Sequence, residues 1–120
     1  MKIETKEWIQ KAENDLETAK YNYKGDKEDV AMFFSHQAIE KALKALSIEL
    51  EGDYLYSHNL VRLSKGIEIP DEMLKVFADL NPVYTGFRYP DEESPEVENP
   101  EEVLERVEEF LEWTKKRLEE

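Results

Sequence analysis

The stretch AMFFSHQAIEKALKALSIEL, residues 31–50, decides the fold. Advancing ~100° per residue around a helical axis spreads Val30, Ala31, Phe34, Ala38, Ile39, Ala42, Leu43, Ala45, Leu46 and Leu50 over more than half the circumference. A surface helix carries a narrower apolar stripe, so this helix must be covered on at least two sides. Ala38, Ala42 and Ala45 lie close together on it and let a neighbouring helix approach closely. The polar remainder is a strip of His36, Gln37, Glu40, Lys44 and Ser47, with Lys41 at its margin. Asp26 is a suitable cap, Glu28 and Asp29 suit the positive end of the helix dipole, and the helix is expected to run from there to about residue 50.

Toward the N-terminus, Trp8, Ala12, Leu16, Ala19 and Tyr23 recur at spacings of three and four, which predicts a first helix over residues 5–24, with Thr5 as its cap and Gly25 as its stop. Toward the C-terminus, Gly52 and the polar run after it break the pattern. Ser57 is read as the cap of a short helix, residues 58–65, closed by Gly66. Pro70 and Asp71 open another helix, with Met73, Leu74, Phe77 and Leu80 on its apolar face. Pro82 must kink or end it, because the ring removes an N–H and crowds the preceding turn; residues 83–88 are read as a resumed helix. Three prolines and a run of acids make residues 89–100 an exposed connection. Asn99, Pro100 and Glu102 form a helix start. Val103, Val107, Phe110, Leu111, Trp113 and Leu118 then supply the apolar side of a last helix. The expectation is an all-α helical bundle, one domain over residues 1–120, with the second helix at its centre.

A chain of 120 residues can bury roughly two thirds of its unfolded surface in one core. The absence of cysteine excludes disulfides, thiolate nucleophiles and Cys-ligated zinc or iron. No stretch approaches the ~18 to 20 apolar residues of a membrane span, and the first residues lack a signal-like apolar core, so a soluble, cytoplasmic protein is expected. The formal net charge is -13, and thirteen acids against Arg106, Lys115, Lys116 and Arg117 from Asp91 onward hold most of it. An acidic body repels a polyanion and lacks the basic stripe that drives nucleic-acid binding, so any RNA contact must be local. The acidity reads first as a soluble, thermally robust surface.

Three clusters carry more polar and ring-bearing residues than a bundle needs: Ser35-His36-Gln37-Ala38-Ile39-Glu40-Lys41-Ala42-Leu43-Lys44-Ala45, Tyr56-Ser57-His58-Asn59-Leu60-Val61-Arg62-Leu63 and Tyr84-Thr85-Gly86-Phe87-Arg88-Tyr89-Pro90-Asp91. In this order, after an opening Trp8, Ala12, Asp15-Leu16 and Ala19, they resemble the minimal, stand-alone prokaryotic type of the HEPN domain family (higher eukaryotes and prokaryotes nucleotide-binding). The resemblance covers about residues 5–118. It implies a four- to five-helix up-and-down bundle that commonly dimerises and is often encoded beside a small nucleotidyltransferase, in what looks like a toxin–antitoxin pair. Many members are metal-independent endoribonucleases whose signature is an Arg followed four to six residues later by a His, two copies forming one site at the dimer cleft. The His would act as acid or base toward a 2′-hydroxyl and the Arg would stabilise phosphate charge. Here Glu92, Glu93 and Ser94 occupy the positions after Arg88 where that His would stand. The departure weighs against catalysis.

The candidate ligand-binding residues are Gln37, Glu40, Lys41, Lys44, His58, Tyr84, Arg88, Tyr89 and Asp91, with Arg88 and His58 as the catalytic pair of a ribonuclease. Each has a plain structural counterpart. Gln37, Glu40, Lys41 and Lys44 can be a solvated face, with Glu40 and Lys44 an i to i+4 pair worth ~0.3 to 0.5 kcal/mol. His58 can bond backbone at a helix end. Arg88 can be locked by Asp91 or Glu40, or offer a planar fork for phosphate beside the stacking faces of two tyrosines. Metal binding by His36 and His58 would need further ligands that the spacing does not supply, and no metal or cofactor is expected. Trp8, Phe33, Phe34, Phe77, Phe110 and Trp113 are read as core or dimer contacts, and the broad arc of the second helix as a reason to expect a homodimer. The reading is a HEPN-like nucleotide-binding or interaction module, possible partner of a small nucleotidyltransferase. An atypical metal-independent endoribonuclease and a structural adaptor without a ligand are the alternatives.

Overall fold

The computed structural model describes residues 1–90 and 95–120, and among these it is all-helical. Five helices follow in order: α1 (Ile3–Lys24), α2 (Glu28–Glu51), α3 (Leu60–Leu63), α4 (Asp71–Arg88) and α5 (Pro100–Glu119). Helix α2 has 24 residues, ~36 Å at ~1.5 Å per residue, and so spans nearly the whole 38 Å long axis of the molecule.

Side-chain pairs set the directions. Lys2 and Thr5, at the start of α1, bond Glu49 at the end of α2, and Asp15 meets Lys41 between them, so α1 and α2 form an antiparallel hairpin. Glu13 meets Lys115 and Lys20 meets Glu108, which runs α5 antiparallel to α1. Phe33 stacks on Phe87 and His36 lies against Tyr84, which runs α4 antiparallel to α2. The result is an up-and-down four-helix bundle with α3 as a short insertion between α2 and α4.

Helix α2 touches all four other helices. Ala31, Ala38, Ile39, Ala42, Leu43, Ala45 and Leu46 are completely buried, in one core with Phe77, Leu80, Val107 and Phe110. The middle of the α2 arc is therefore covered inside one chain, by α1, α4, α5 and α3, while Val30 and Phe34 are half-buried and Leu50 is exposed, so its breadth alone is a weak argument for a second copy.

Several helix ends differ from expectation. Helix α1 begins two residues before Thr5, whose hydroxyl is buried and donates to Glu49 Oε1 at 2.9 Å; it ties two helices together instead of capping its own. Gly25 has φ -85°, open to any residue, and Asp26 takes the left-handed position at φ 62°. Asp26 thus forms the turn instead of capping α2; the residue at the cap position, Lys27, makes no side-chain bond, and in the first turn Asp29 Oδ1 accepts from the Val30 N–H at 2.9 Å. Gly52 closes α2 at φ 85° with its N–H donating to Ile48 O at 3.0 Å, a conformation suited to glycine. Ser57 does not cap the short helix; Asn59 does, its Oδ1 accepting from the Arg62 N–H at 3.1 Å. Asn81 of α4 reaches across to the same turn, accepting from the Leu60 N–H at 2.8 Å and donating to Asn59 Oδ1 at 3.0 Å. Helix α4 runs on through Pro82 to Arg88, so the resumed-helix reading of residues 83–88 describes one continuous element. Helix α5 starts at Pro100 as expected, yet Asn99 stands at φ 52° and makes no side-chain cap bond; only its carbonyl accepts, from the Val103 N–H at 3.1 Å.

Candidate functional site

The polar strip of α2 is neither a solvated face nor an open cleft floor. His36, Glu40, Lys44 and Ser47 are all buried, because Trp8 of α1, the segment 53–59 and Tyr84 of α4 fold over them. This segment follows Gly52, whose left-handed turn directs the chain back along α2.

Glu40 is the hub. Its carboxylate is 3 % exposed, with Oε2 accepting from Lys44 Nζ at 3.1 Å and Oε1 facing His58 Nδ1 at 2.7 Å. Lys44, 7 % exposed, sits with its ammonium 5.4 Å from the Trp8 ring centre and 5.3 Å from that of Tyr54, where aromatic faces replace part of its hydration. The i to i+4 pair expected on a surface is therefore a buried one. Removing one partner of such a pair costs ~3–5 kcal/mol, about ten times the surface figure, because it strands a buried charge. Lys44 adds no free positive potential, since Glu40 neutralises it.

His36 anchors the cover. It is fully buried, with Nε2 2.8 Å from the His58 carbonyl and Nδ1 3.2 Å from the Gln37 side-chain amide. Burial pushes its imidazole below the usual range, so the neutral ring carries its proton on Nε2, where only an acceptor faces it. The atom placed 3.2 Å from Nδ1 is Gln37 Oε1, and with the ring neutral and Nε2 protonated the bond forms when the amide is rotated by 180° so that its NH₂ donates to Nδ1.

The surface of the site is aromatic and cationic. The His58 side chain is 52 % exposed, and its ring stacks on Tyr84 with centres 4.2 Å apart. The Arg88 guanidinium, one helical turn beyond Tyr84, lies 5.1 Å from the same ring. Burial raises the Tyr84 phenol, with Arg88 pulling the other way, so at neutral pH it remains a hydroxyl. With Glu40 holding Nδ1, His58 presents Nε2 as its available ring nitrogen. A carboxylate-oriented imidazole beside an arginine can bind a phosphate, or exchange a proton next to one.

Of the nine candidate ligand-binding residues, Glu40, Lys44, His58, Tyr84 and Arg88 come together directly, and Gln37 joins through His36. Lys41 does not: it pairs with Asp15 of α1. Tyr89 is half-exposed just past the end of α4, and Asp91 lies outside the described residues. Arg88 makes no ion pair among the described residues, and Glu40, one suggested partner, is occupied by His58 and Lys44. Among the described residues no group of three or more His, Asp or Glu side chains is placed to hold a metal ion. Sequence reasoning missed Tyr54 and the bond from His36 to the His58 backbone. Tyr54 sits in an aperiodic loop, where no spacing marks it; His36 lay in the strip, but its partner is 22 positions away.

Comparison with known proteins adds the lineage. The HEPN domain family matches residues 5–118. The crystal structure of an archaeal HEPN homologue superimposes with a TM-score of 0.77 at 31% identity, covering 98% of this chain and 99% of that one. A crystal structure from Thermus thermophilus superimposes at TM-score 0.78 and 23% identity, covering 93% of this chain and 96% of that one, and shows the shared fold. No curated protein matches the chain. With its family match over nearly the full length, its three polar clusters and its up-and-down bundle, this chain belongs to the HEPN domain family.

Proposed function

We propose that this protein is a homodimeric HEPN module that binds a nucleotide at the patch formed by His58, Tyr84 and Arg88, and that it engages a small nucleotidyltransferase as its protein partner. The observation that carries the reading is Arg88 at 5.1 Å from a Tyr84 ring already stacked by His58. Such a patch offers a base a stacking face and a phosphate a planar fork, on a molecule whose net charge of -13 otherwise repels phosphate. Leu55, Tyr56, Val61, Phe87 and Tyr89 are exposed apolar residues next to His58 and Arg88 in the chain, and a second copy would cover them. Calorimetric titration with ATP, AMP and GTP tests the binding. At least one should give a saturable isotherm that weakens tenfold or more in Arg88→Ala; flat traces for all three would reject it. Light scattering at micromolar concentration should give twice the chain mass, and a clean monomer would reject the dimer. The protein encoded by the adjacent reading frame, if it is a small nucleotidyltransferase, should co-elute with this chain.

One observation favours a second reading, the metal-independent endoribonuclease. A buried carboxylate at 2.7 Å from His58 Nδ1 is the support an acid–base histidine needs, and it partly answers the missing histidine after Arg88. Cleavage of single-stranded RNA in EDTA, lost in both His58→Ala and Arg88→Ala, would establish this reading over simple binding.

A further inference from the structure

The nucleotide patch brings together two parts of the chain that are held separately. His58 belongs to the segment before α3 and is tied to α2, through its Nδ1 2.7 Å from Glu40 and its carbonyl 2.8 Å from His36 Nε2. Tyr84 and Arg88 ride on α4. Ring stacking tolerates sliding, because offset arrangements over a range of centre distances are nearly as good as one another. The 4.2 Å stack of His58 on Tyr84 therefore does not by itself fix how far along α4 the two parts meet. Apolar packing of α4 on the core is likewise non-directional.

Asn81 supplies the missing direction. Its Oδ1 accepts from the Leu60 N–H at 2.8 Å and its Nδ2 donates to Asn59 Oδ1 at 3.0 Å. Backbone donors settle both amide orientations, since the Leu60 N–H needs an oxygen from Asn81 and the Arg62 N–H needs one from Asn59. Among the described residues, these are the only hydrogen bonds or ion pairs that join α4 to another helix or to the segment before α3; Lys75 pairs with Asp79 inside α4. Hydrogen bonds accept a narrow window of distance and angle, so two of them set a register that stacking leaves loose. Asn81 is half-buried and shares one face of α4 with Tyr84 and Arg88, at spacings of three and four. The groups it holds lie one and two residues beyond His58, so a shift at Asn81 reaches the histidine along a short piece of backbone.

We infer that Asn81 is a positioning residue of the nucleotide patch, an inference that rests on the nucleotide reading above: its side-chain amide sets the register of α4 against the segment carrying His58 and so places Tyr84 and Arg88 opposite that ring. Without the amide, His58 keeps its bonds to α2 but loses its fixed distance from Arg88. A ligand that needs both groups then binds only the fraction of molecules in which they meet.

The test uses the full chain, titrated with ATP, AMP and GTP in calorimetry and observed at His58 by NMR. Asn81→Ala should weaken whichever nucleotide binds by about fivefold or more, the factor expected if the two groups meet in about a fifth of the molecules or fewer. In a His58→Ala background the same change should cost less than twofold, because Asn81 acts through that histidine. Leu16→Ala loosens the core on α1, a helix that does not touch α4, and should leave affinity within twofold. The Tyr84 ring current shifts the His58 ring protons upfield, and Asn81→Ala should move them toward the values of an unstacked histidine. If Asn81→Ala does not fold, Asn81→Gln, which keeps the amide but sets it one methylene farther out, takes its place in every measurement. Equal weakening in the wild-type and His58→Ala backgrounds, or equal weakening by Leu16→Ala, would make Asn81 a merely structural residue and overturn the inference. Flat traces for the wild type would reject the nucleotide reading instead. His58 protons that stay in place in Asn81→Ala would overturn the positioning role whether or not a nucleotide binds.

Discussion

Glu40 is the residue on which the site turns. One carboxylate holds a buried lysine and a surface histidine that belong to different parts of the chain. Glu40→Ala should lower unfolding free energy by ~3–5 kcal/mol, seen as a lower urea midpoint, because it strands the Lys44 charge under Trp8 and Tyr54. The double variant Glu40→Leu, Lys44→Met should recover much of that loss. If the two variants were equally unstable, the site would owe its stability to packing and not to the ion pair. His36 gives a pH signature. Its imidazole is held below the ordinary value near 6.5, so below that pH the unfolded chain binds the extra proton more readily. Stability contributed by the neutral ring is complete above 6.5, falls as pH drops through that value, by at most ~1.4 kcal/mol per unit, and levels out below the folded value. The difference in urea midpoint between pH 7.5 and 5.5 should shrink in His36→Gln, which keeps a donor for the His58 carbonyl. An unchanged difference would assign the acid sensitivity to other groups. At this scale the sequence displayed the right residues in the strip His36, Gln37, Glu40 and Lys44. It could not display their bonds, because Tyr54 and His58 come from a loop without periodicity.

Among the elements, the long helices were legible from spacing and their ends were not. The stripe Trp8, Ala12, Leu16, Ala19 and Tyr23 and the arc of α2 are properties of a 3.6-residue repeat, which survives any detail of packing. Thr5, Asp26, Ser57 and Asn99 are all good cap residues by composition. None of their side chains caps the observed helix: Thr5 bonds Glu49, Asp26 and Asn99 take a left-handed backbone, and Ser57 accepts from the Asn59 N–H one residue ahead of the short helix. Asp26→Gly should raise stability by ~1 kcal/mol, because φ 62° crowds the Cβ of any L-residue, and thermal unfolding would show it as a higher midpoint. Pro82 is an exposed residue well inside α4, where the missing N–H and the ring cost up to ~3 kcal/mol. Pro82→Ala should therefore raise the midpoint too. A rise accompanied by weaker nucleotide binding would mean that the proline sets the path of the last turn, which carries Tyr84 and Arg88.

For the whole molecule, self-repulsion is the main electrostatic fact. A net charge of -13 on one small bundle is relieved by counterions, so the thermal midpoint should rise between ~20 mM and ~200 mM salt despite weaker surface ion pairs. A falling midpoint would give the exposed ion pairs more weight than exposed pairs ordinarily carry. By itself the sequence determined the class of fold, the position of α2 at its centre and the residue types of the site. Hydrophobic periodicity is a local property, and a chain this size has few ways to bury so broad an arc. Only the tertiary structure decided that the polar strip is covered, that Glu40 joins Lys44 to His58, and that the middle of the α2 arc is buried within one chain. Those depend on where an aperiodic loop and the far end of α4 come to rest, and placing them takes the long-range packing of the whole bundle.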